Sequence, residues 1–433
     1  MNNFTIDLLK NEKYYLSKRI PILLVMLLLY FNSKGYSQQI IGAIHFKGNS
    51  RTKSTYLKHF IKTQKGEVPD SLKIEDDLRK LRNLTSVMDA EAILTDSDSG
   101  MMLTYSVNER FTLLPVGDFG ITRNNFWIGG GLMESNLGGR GIYSYAYYQY
   151  NSKHSLHLIF RNPYIKGTPW GIELQLRNLP SIENYTEDSK ILNQYFDISF
   201  AGRYEFRLEN EIALGTSFRQ QVADNSEINN SSEESAIYIK RQTQVFFLRR
   251  EIHRLDYHYF YVTGWKNLLH VSCQIPYSSH SGPVLTIYNE LKFFARPFNK
   301  GNFATRFMAG ISSEKEKAFY PFLADSYYSL RGIGYRVFRG NAIALLNLEY
   351  RQTLFENRLG GIQLVVFSDA GFIPRFKGAT LDRTDYNPDQ LFSGLGLRFI
   401  YKKAYNAIIS IDYGFDVLWQ KKAGLVVEWG QYF

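Results

Sequence analysis

QYFDISFAGRYEFRL, residues 194–208, is written in alternation. On an extended chain Phe196, Ile198, Phe200, Tyr204, Phe206 and Leu208 share one face, while Asp197, Ser199, Arg203, Glu205 and Arg207 share the other. Four ionisable groups on one face would be costly in a dry core. Lining water, behind an apolar row that meets lipid, they are ordinary, and that is the pattern of a transmembrane β-barrel strand.

The same pattern runs outward from this segment to the end of the chain. GIELQLRNL (171–179) sets Ile172, Leu174 and Leu176 against Glu173, Gln175 and Arg177, and ALLNLEYRQTL (344–354) repeats it. In GLVVEWGQYF (424–433), Leu425, Val427, Trp429 and Phe433 share a face with Gln431 as its polar member. Connections alternate in length. NLGGRG (136–141), LENE (208–211), ENRLGG (356–361) and KKAYN (402–406) are tight, whereas 223–235, 312–341 and 375–390 are long polar loops. Short turns at one end and long loops at the other are the asymmetry of an outer-membrane barrel. Residues 113–433 hold about sixteen candidate strands, an even number as closure of such barrels requires.

Composition agrees. Tyr and Phe number 31 each, with five Trp, a supply suited to aromatic girdles. The single Cys273 excludes an intramolecular disulfide framework. The formal charge of +10 is not gathered into a Lys/Arg tract of the nucleic-acid kind and suits a polar lumen or anionic headgroups. Residues 1–37 read as a signal peptide: Lys10, Lys13, Lys18 and Arg19 precede the apolar IPILLVMLLLYF (20–31), and Gly35 and Ser37 are small residues placed for cleavage. That core is shorter than the roughly 20 residues of a spanning helix.

Residues 38–112 read as a small α+β unit, β-α-α-β-β. IIGAIHFKGN (40–49) is a strand closed by the turn Gly48-Asn49. Thr52 is placed to cap a helix over 53–63. Asp70 or Ser71 starts a second helix with Leu72, Ile74, Leu78, Leu81 and Leu84 as its stripe, and strands 86–96 and 101–110 follow. This order, with FKGNSRTKSTYL at its start and DDLRKLRNLTSV in its second helix, resembles the POTRA domain. The resemblance implies strand edges that pair with client chains by β-augmentation.

An enzymatic reading finds little. His154 and His157 are three apart in a strand, so they face opposite sides and cannot share a metal, and His253 and His258 fail by the same parity. WIGGGLMESNLGGRG (127–141) is strand-like rather than a phosphate loop. No catalytic residue, cofactor or metal is expected. One constellation stands out: Glu349 and Asp369 lie on the polar faces of consecutive strands, and two inward carboxylates repel unless a cation sits between them. Arg331, in the long loop just upstream, could take both through its planar fork. The alternative is three separately solvated charges.

Leu330-Arg331-Gly332 resembles the Val-Arg-Gly-Phe/Tyr motif of the BamA/TamA/FhaC superfamily of outer-membrane insertases and translocators. The resemblance implies that this loop folds back into the barrel, where its arginine meets an acidic residue on each of the next two strands, matching Glu349 and Asp369. Ile333 stands at the motif's aromatic position, with Tyr335 two residues on. NLGGRG, RNPY (161–164) and GLGLR (394–398) are further pieces like the family's. One POTRA is fewer than BamA-, TamA- or two-partner-type members carry. The terminal Phe433 resembles the sorting signal of outer-membrane proteins.

The expectation is therefore a sixteen-stranded outer-membrane barrel with one periplasmic POTRA domain, serving assembly of other barrel proteins at a lateral seam. Gly129, Gly130 and Gly131 near the start, and Gly424 and Gly430 near the end, would weaken the strands flanking that seam. The expected partners are unfolded outer-membrane clients, accessory lipoproteins and the bilayer, with no nucleic acid. The alternatives are a two-partner polypeptide translocator, a passive pore or surface-binding barrel, and a soluble two-domain periplasmic protein.

Overall fold

The computed structural model describes residues 39–97, 100–122, 125–185, 189–206, 209–225, 237–278, 282–378, 380–382, 389–419 and 422–431. The signal-peptide segment 1–37 and the terminal Phe433 lie outside the described residues.

The N-terminal unit is a three-stranded sheet with two helices. Its strands, β1 (Ile41–Lys47), β2 (Val87–Ser97) and β3 (Gly100–Glu109), take the order β1-β3-β2, with β1 parallel and β2 antiparallel to the central β3. Leu57, Phe60, Ile74, Leu78, Leu81 and Leu84 pack on the sheet around Leu103 and Tyr105. Asp70 caps the long helix, Ser71–Arg82, by accepting from the Leu72 and Lys73 amides at 2.9 and 3.3 Å.

Three expectations in this unit need correcting. Leu72 is 84% exposed and leaves the apolar stripe. It precedes Ile74 by two residues, about 200° around the helix. The first helix spans only Ser54–Leu57, followed by a 3₁₀ turn over Lys58–Phe60. It stops there because Asp77, fully buried, takes the next amides, Lys62 at 2.7 Å and Thr63 at 3.1 Å, together with the Tyr105 hydroxyl at 2.9 Å. Thr52 is not its cap. Lys53 holds that position without a side-chain hydrogen bond, and the Thr52 hydroxyl instead accepts from Asn136 of the barrel at 3.0 Å.

From Leu113 the chain forms a closed antiparallel barrel of sixteen strands. The fifth strand, Trp170–Asn178, continues as Ser181–Asn184, and both pieces pair with the sixth, Lys190–Phe206. The sixteenth strand, Ala423–Trp429, closes the cylinder on the first, Leu113–Thr122. The alternation reads as lipid outside and water inside. Ile198 and Phe200 are 47% and 49% exposed, while Asp197 is fully buried and Arg203 is 7% exposed. The inward charges are paired: Glu173 receives Arg161, Arg203 and Arg249, and Asp197 receives Arg177 and Arg219, at 2.8 to 3.2 Å. Pairing offsets the desolvation that lone charges would suffer.

The small domain docks on the tight-turn end of the barrel. NLGGRG receives the segment that follows the turn of Gly48 and Asn49: the Lys53 amide donates to the Gly139 carbonyl at 2.9 Å, and a side chain on Gly139 would sit 2.2 Å from the Arg51 carbonyl oxygen. Gly48 needs its positive φ of +86°, and Asn49 fixes the turn through the Thr52 carbonyl and the Ser54 hydroxyl, both at 2.9 Å. The long helix meets the barrel through Arg79 and Asn83, which donate to the Leu255 carbonyl at 3.2 and 2.6 Å.

Candidate functional site: the inserted loop and the barrel seam

The loop between the eleventh strand (Gly301–Ser312) and the twelfth (Ala342–Glu356) folds into the lumen. It is shaped from within. The Asp325 carboxylate accepts from the Tyr327 and Arg336 amides, each at 2.7 Å, and the Ser326 hydroxyl accepts from Gly334 N at 2.8 Å. A short hairpin, Phe322–Ala324 with Phe338–Gly340, holds its base together. Residues 329–336 are buried.

Arg331 lies at the tip, fully buried. Its Nε and Nη2 donate to the two Asp369 oxygens at 2.9 Å each, its own amide adds a 3.0 Å bond to Asp369, and Nη1 donates to Glu349 at 2.5 Å. This is a planar fork read by two carboxylates on the twelfth and thirteenth strands. The Phe367 ring lies under the guanidinium, 3.7 Å from centroid to Cζ.

The cluster is larger than the sequence suggested. Arg351 donates to Glu349 at 2.5 Å, and Arg398 grips Asp412 by two bonds of 2.7 and 2.9 Å. Arg398 also stands 3.6 Å from Glu349, and Asp412 3.7 Å from Arg331. Among the described residues, three guanidiniums thus face three carboxylates in a buried pocket. GLGLR supplies the room as well as the arginine. Side chains at Gly394 and Gly396 would strike the Phe367 ring and the Asp412 carboxylate. Parity in IISIDYGFD (408–416) and GLGLR put Asp412 and Arg398 on inward faces; only the register between strands brings them to Arg331.

Beyond the arginine the loop crosses to the seam. Gly332, at φ +94°, lies with its backbone against the wall: a side chain there would be 2.5 Å from the Gly414 carbonyl oxygen, and one on Gly424 would be 3.1 Å from the Gly332 oxygen. Ile333, at the motif's aromatic position, packs instead with Leu330, Phe338 and Phe392. Tyr335 is the aromatic that acts at the wall. It is buried with Trp127 of the second strand (centroids 5.6 Å apart) and Val426 of the last. Trp127 Nε1 also donates to the Tyr327 hydroxyl. One loop therefore touches both sides of the closure.

The closure itself is short. Among the described residues five pairs join it, Gly424–Glu428 with Asp118–Thr122, against fifteen between the sixth and seventh strands. Glu428 stands directly opposite Asp118. Two carboxyl groups directly opposite each other weaken a ladder to the extent that both are ionised. Gly424 lies in this ladder. Gly129, Gly130 and Gly131 lie one strand away and pair with Asp118, Gly117 and Val116. Gly129 makes way for the Tyr147 hydroxyl, which reaches over it to Asp118.

The expected place of Gly430 is corrected. It follows the last strand at φ +110° and belongs to no seam pair. That reversal breaks the alternation, so Gln431 turns inward to accept from Arg398 at 3.1 Å rather than joining the apolar face.

Residues 39–110 match the family model described as POTRA, surface antigen variable number repeat. They are a POTRA domain. Solved structures similar to the whole chain include BamA from Haemophilus ducreyi lacking POTRA domains 1–3, at 15% identity and TM-score 0.55 over 90% of this chain and 84% of that one. CdiB from Acinetobacter baumannii matches at 10% identity and TM-score 0.56, over 91% and 74%. CdiB from Escherichia coli matches at 13% and 0.56, over 90% and 76%. POTRA followed by barrel is thus the fold this chain shares with BamA and CdiB. The sequence matches no curated protein.

Proposed function

We propose that the protein is an outer-membrane assembly factor of the BamA/TamA kind, templating strands of client barrels at its lateral seam. In this reading residues 1–37 direct export, 38–112 stand in the periplasm and 113–433 span the membrane. The observation that carries it is the five-pair ladder, with Asp118 facing Glu428, braced from inside by a loop clamped at Arg331. A closure so short is inexpensive to open, and an opened edge offers unpaired backbone groups to an incoming strand. The loop then has two tasks. Its arginine fixes the wall from the twelfth to the fifteenth strand, and Tyr335 steadies the strands on either side of the gap.

The POTRA sheet offers a second edge. β2 is one of the sheet's two edge strands, and Ile93 and Leu94 on it are 49% and 38% exposed. A client segment would add there by β-augmentation before reaching the seam. Unfolded outer-membrane proteins are the clients in this account, with accessory lipoproteins as further partners. The fold shared with CdiB favours one second reading, a translocator that passes a polypeptide through the lumen.

Depletion separates the two. Quantifying the outer-membrane proteome after depletion, with a photo-crosslinker at Ile93, should show a general loss of barrel proteins and adducts to several of them. Loss of a single secreted partner with other barrels unchanged would favour translocation. No change in either would leave a passive pore as the better reading.

A further inference from the structure

The outer wall carries an apolar groove of about 600 Å³ at the POTRA end, within the ~300–1,000 Å³ range of small-molecule sites. Three pieces of chain meet there: the linker from POTRA to the first strand, the turn after the twelfth strand and the turn after the fourteenth. The linker is pinned by backbone bonds, Phe111 N to the Lys403 carbonyl at 2.8 Å and Tyr405 N to the Phe111 carbonyl at 3.0 Å. Leu113, Phe355, Leu359, Phe399 and Ile409 present exposed apolar surface to the groove, and Trp429 closes its seam side.

The rim has the opposite character. The Arg51 guanidinium lies 5.2 Å from the Phe111 ring. Arg358 stands between the lining residues Asn357 and Leu359, and Lys403 directly before Ala404. All three cations are exposed. The neighbouring carboxylates are engaged: Glu109 receives the Ser50 hydroxyl and the Arg51 and Thr52 amides, and Glu356 receives Lys402 Nζ at 2.6 Å. An apolar trough under a ring of cations has the chemistry of a lipid site.

We propose that this groove binds one anionic phospholipid from the leaflet nearest the POTRA domain. An acyl chain lies along Leu113, Phe355 and Phe399, and the phosphate sits among Arg51, Arg358 and Lys403. The lipid bridges the POTRA linker and the last strand, so it steadies the domain beneath the seam. This rests on the membrane placement proposed above.

The test is native mass spectrometry of the full chain released from nanodiscs of equal phosphatidylglycerol and phosphatidylcholine with identical acyl chains. Retention of one phosphatidylglycerol per chain is expected, and Arg358→Glu with Lys403→Glu should reduce that preference at least tenfold. Lys166→Glu with Lys300→Glu, exposed cations in other turns of the same rim, should leave it unchanged. Equal retention of the two lipids, or an equal loss in both double variants, overturns the site and leaves only general attraction to the bilayer. Heat-modifiable gel mobility checks that each variant is folded. A chain that does not enter the bilayer overturns the membrane reading and the lipid site together; one that enters and shows no preference overturns the lipid site alone.

Discussion

Replacing Arg331 with alanine removes a buried cation from between two carboxylates, and the two lose unequally. Glu349 keeps Arg351 at 2.5 Å and Arg398 at 3.6 Å. Asp369 loses three hydrogen bonds and the one cation paired with it among the described residues. Breaking a buried ion pair from one side costs about 3–5 kcal/mol because the orphaned charge stays desolvated. Water entering from the lumen brings the figure to the lower end, ~3 kcal/mol, which is about a hundredfold in the population of a released loop. Proteolysis reads that population when opening is fast relative to cleavage. Cleavage within 313–341 should therefore accelerate by about two orders of magnitude in purified Arg331→Ala. Lys377→Ala, at an exposed position outside the cluster, should behave as wild type. Adding Asp369→Asn to Arg331→Ala neutralises the orphan and should recover at least half of the loss. Arg331→Lys should fall between, because an ammonium cannot span both carboxylates as the fork does. In a depletion strain the same ranking should appear in complementation. Equal cleavage rates in Arg331→Ala and Lys377→Ala would refute the clamp.

Two further outcomes follow from the geometry. Gly414→Ala places a methyl group 2.2 Å from the Arg331 carbonyl oxygen, so the loop should lift at a cost of about 1–3 kcal/mol, read as faster loop cleavage with an intact barrel. In the POTRA turn, burial alone would raise the Glu109 pKa, but hydrogen bonds from Thr52, Arg51 and Ser50 outweigh it and hold the carboxyl below its usual value of 4.5. A depressed carboxyl lends stability above its unfolded value and loses it as pH falls through the folded one. Exchange protection of the Arg51 and Thr52 amides, corrected for intrinsic rates, should persist at pH 6 and fade below about pH 4. Glu109→Gln, with one acceptor oxygen for the two amides, should protect at most one of them at pH 6.

Much of the fold is legible because barrel strands carry a simple code. A period of two with charges on one side leaves Asp197 and Arg203 nowhere to go but inward, and the tight turns mark where each strand ends. The POTRA helix was equally plain at Asp70, whose side chain has two free amides ahead of it. Reading failed where tertiary partners compete with local preference. Thr52 has the chemistry of a cap but spends its hydroxyl on Asn136, and Asp77 cuts the first helix short by taking the amides that would have continued it. Glu349 and Asp369 could be picked out because they sit on adjacent strands just after the loop. Arg398 and Asp412 escaped because each is a single charge in an otherwise ordinary alternation, joined to Arg331 only by register. Tyr335 and Trp127 lie more than two hundred positions apart, and no local pattern links them. The difference at Gly430 has a physical reason too: a glycine inside a strand and one that ends it look alike until φ is known.

Templated insertion requires the seam to open. Ile121 and Leu425 are paired across it, and residues opposite one another on antiparallel strands lie about 4.5–5.5 Å apart at Cα, within reach of a disulfide. Ile121→Cys with Leu425→Cys, in a Cys273→Ser background, would lock the barrel shut under oxidation. Client insertion into proteoliposomes should stop in the oxidised protein and return on reduction, while either single cysteine remains active throughout. Full insertion by the locked barrel would contradict the account.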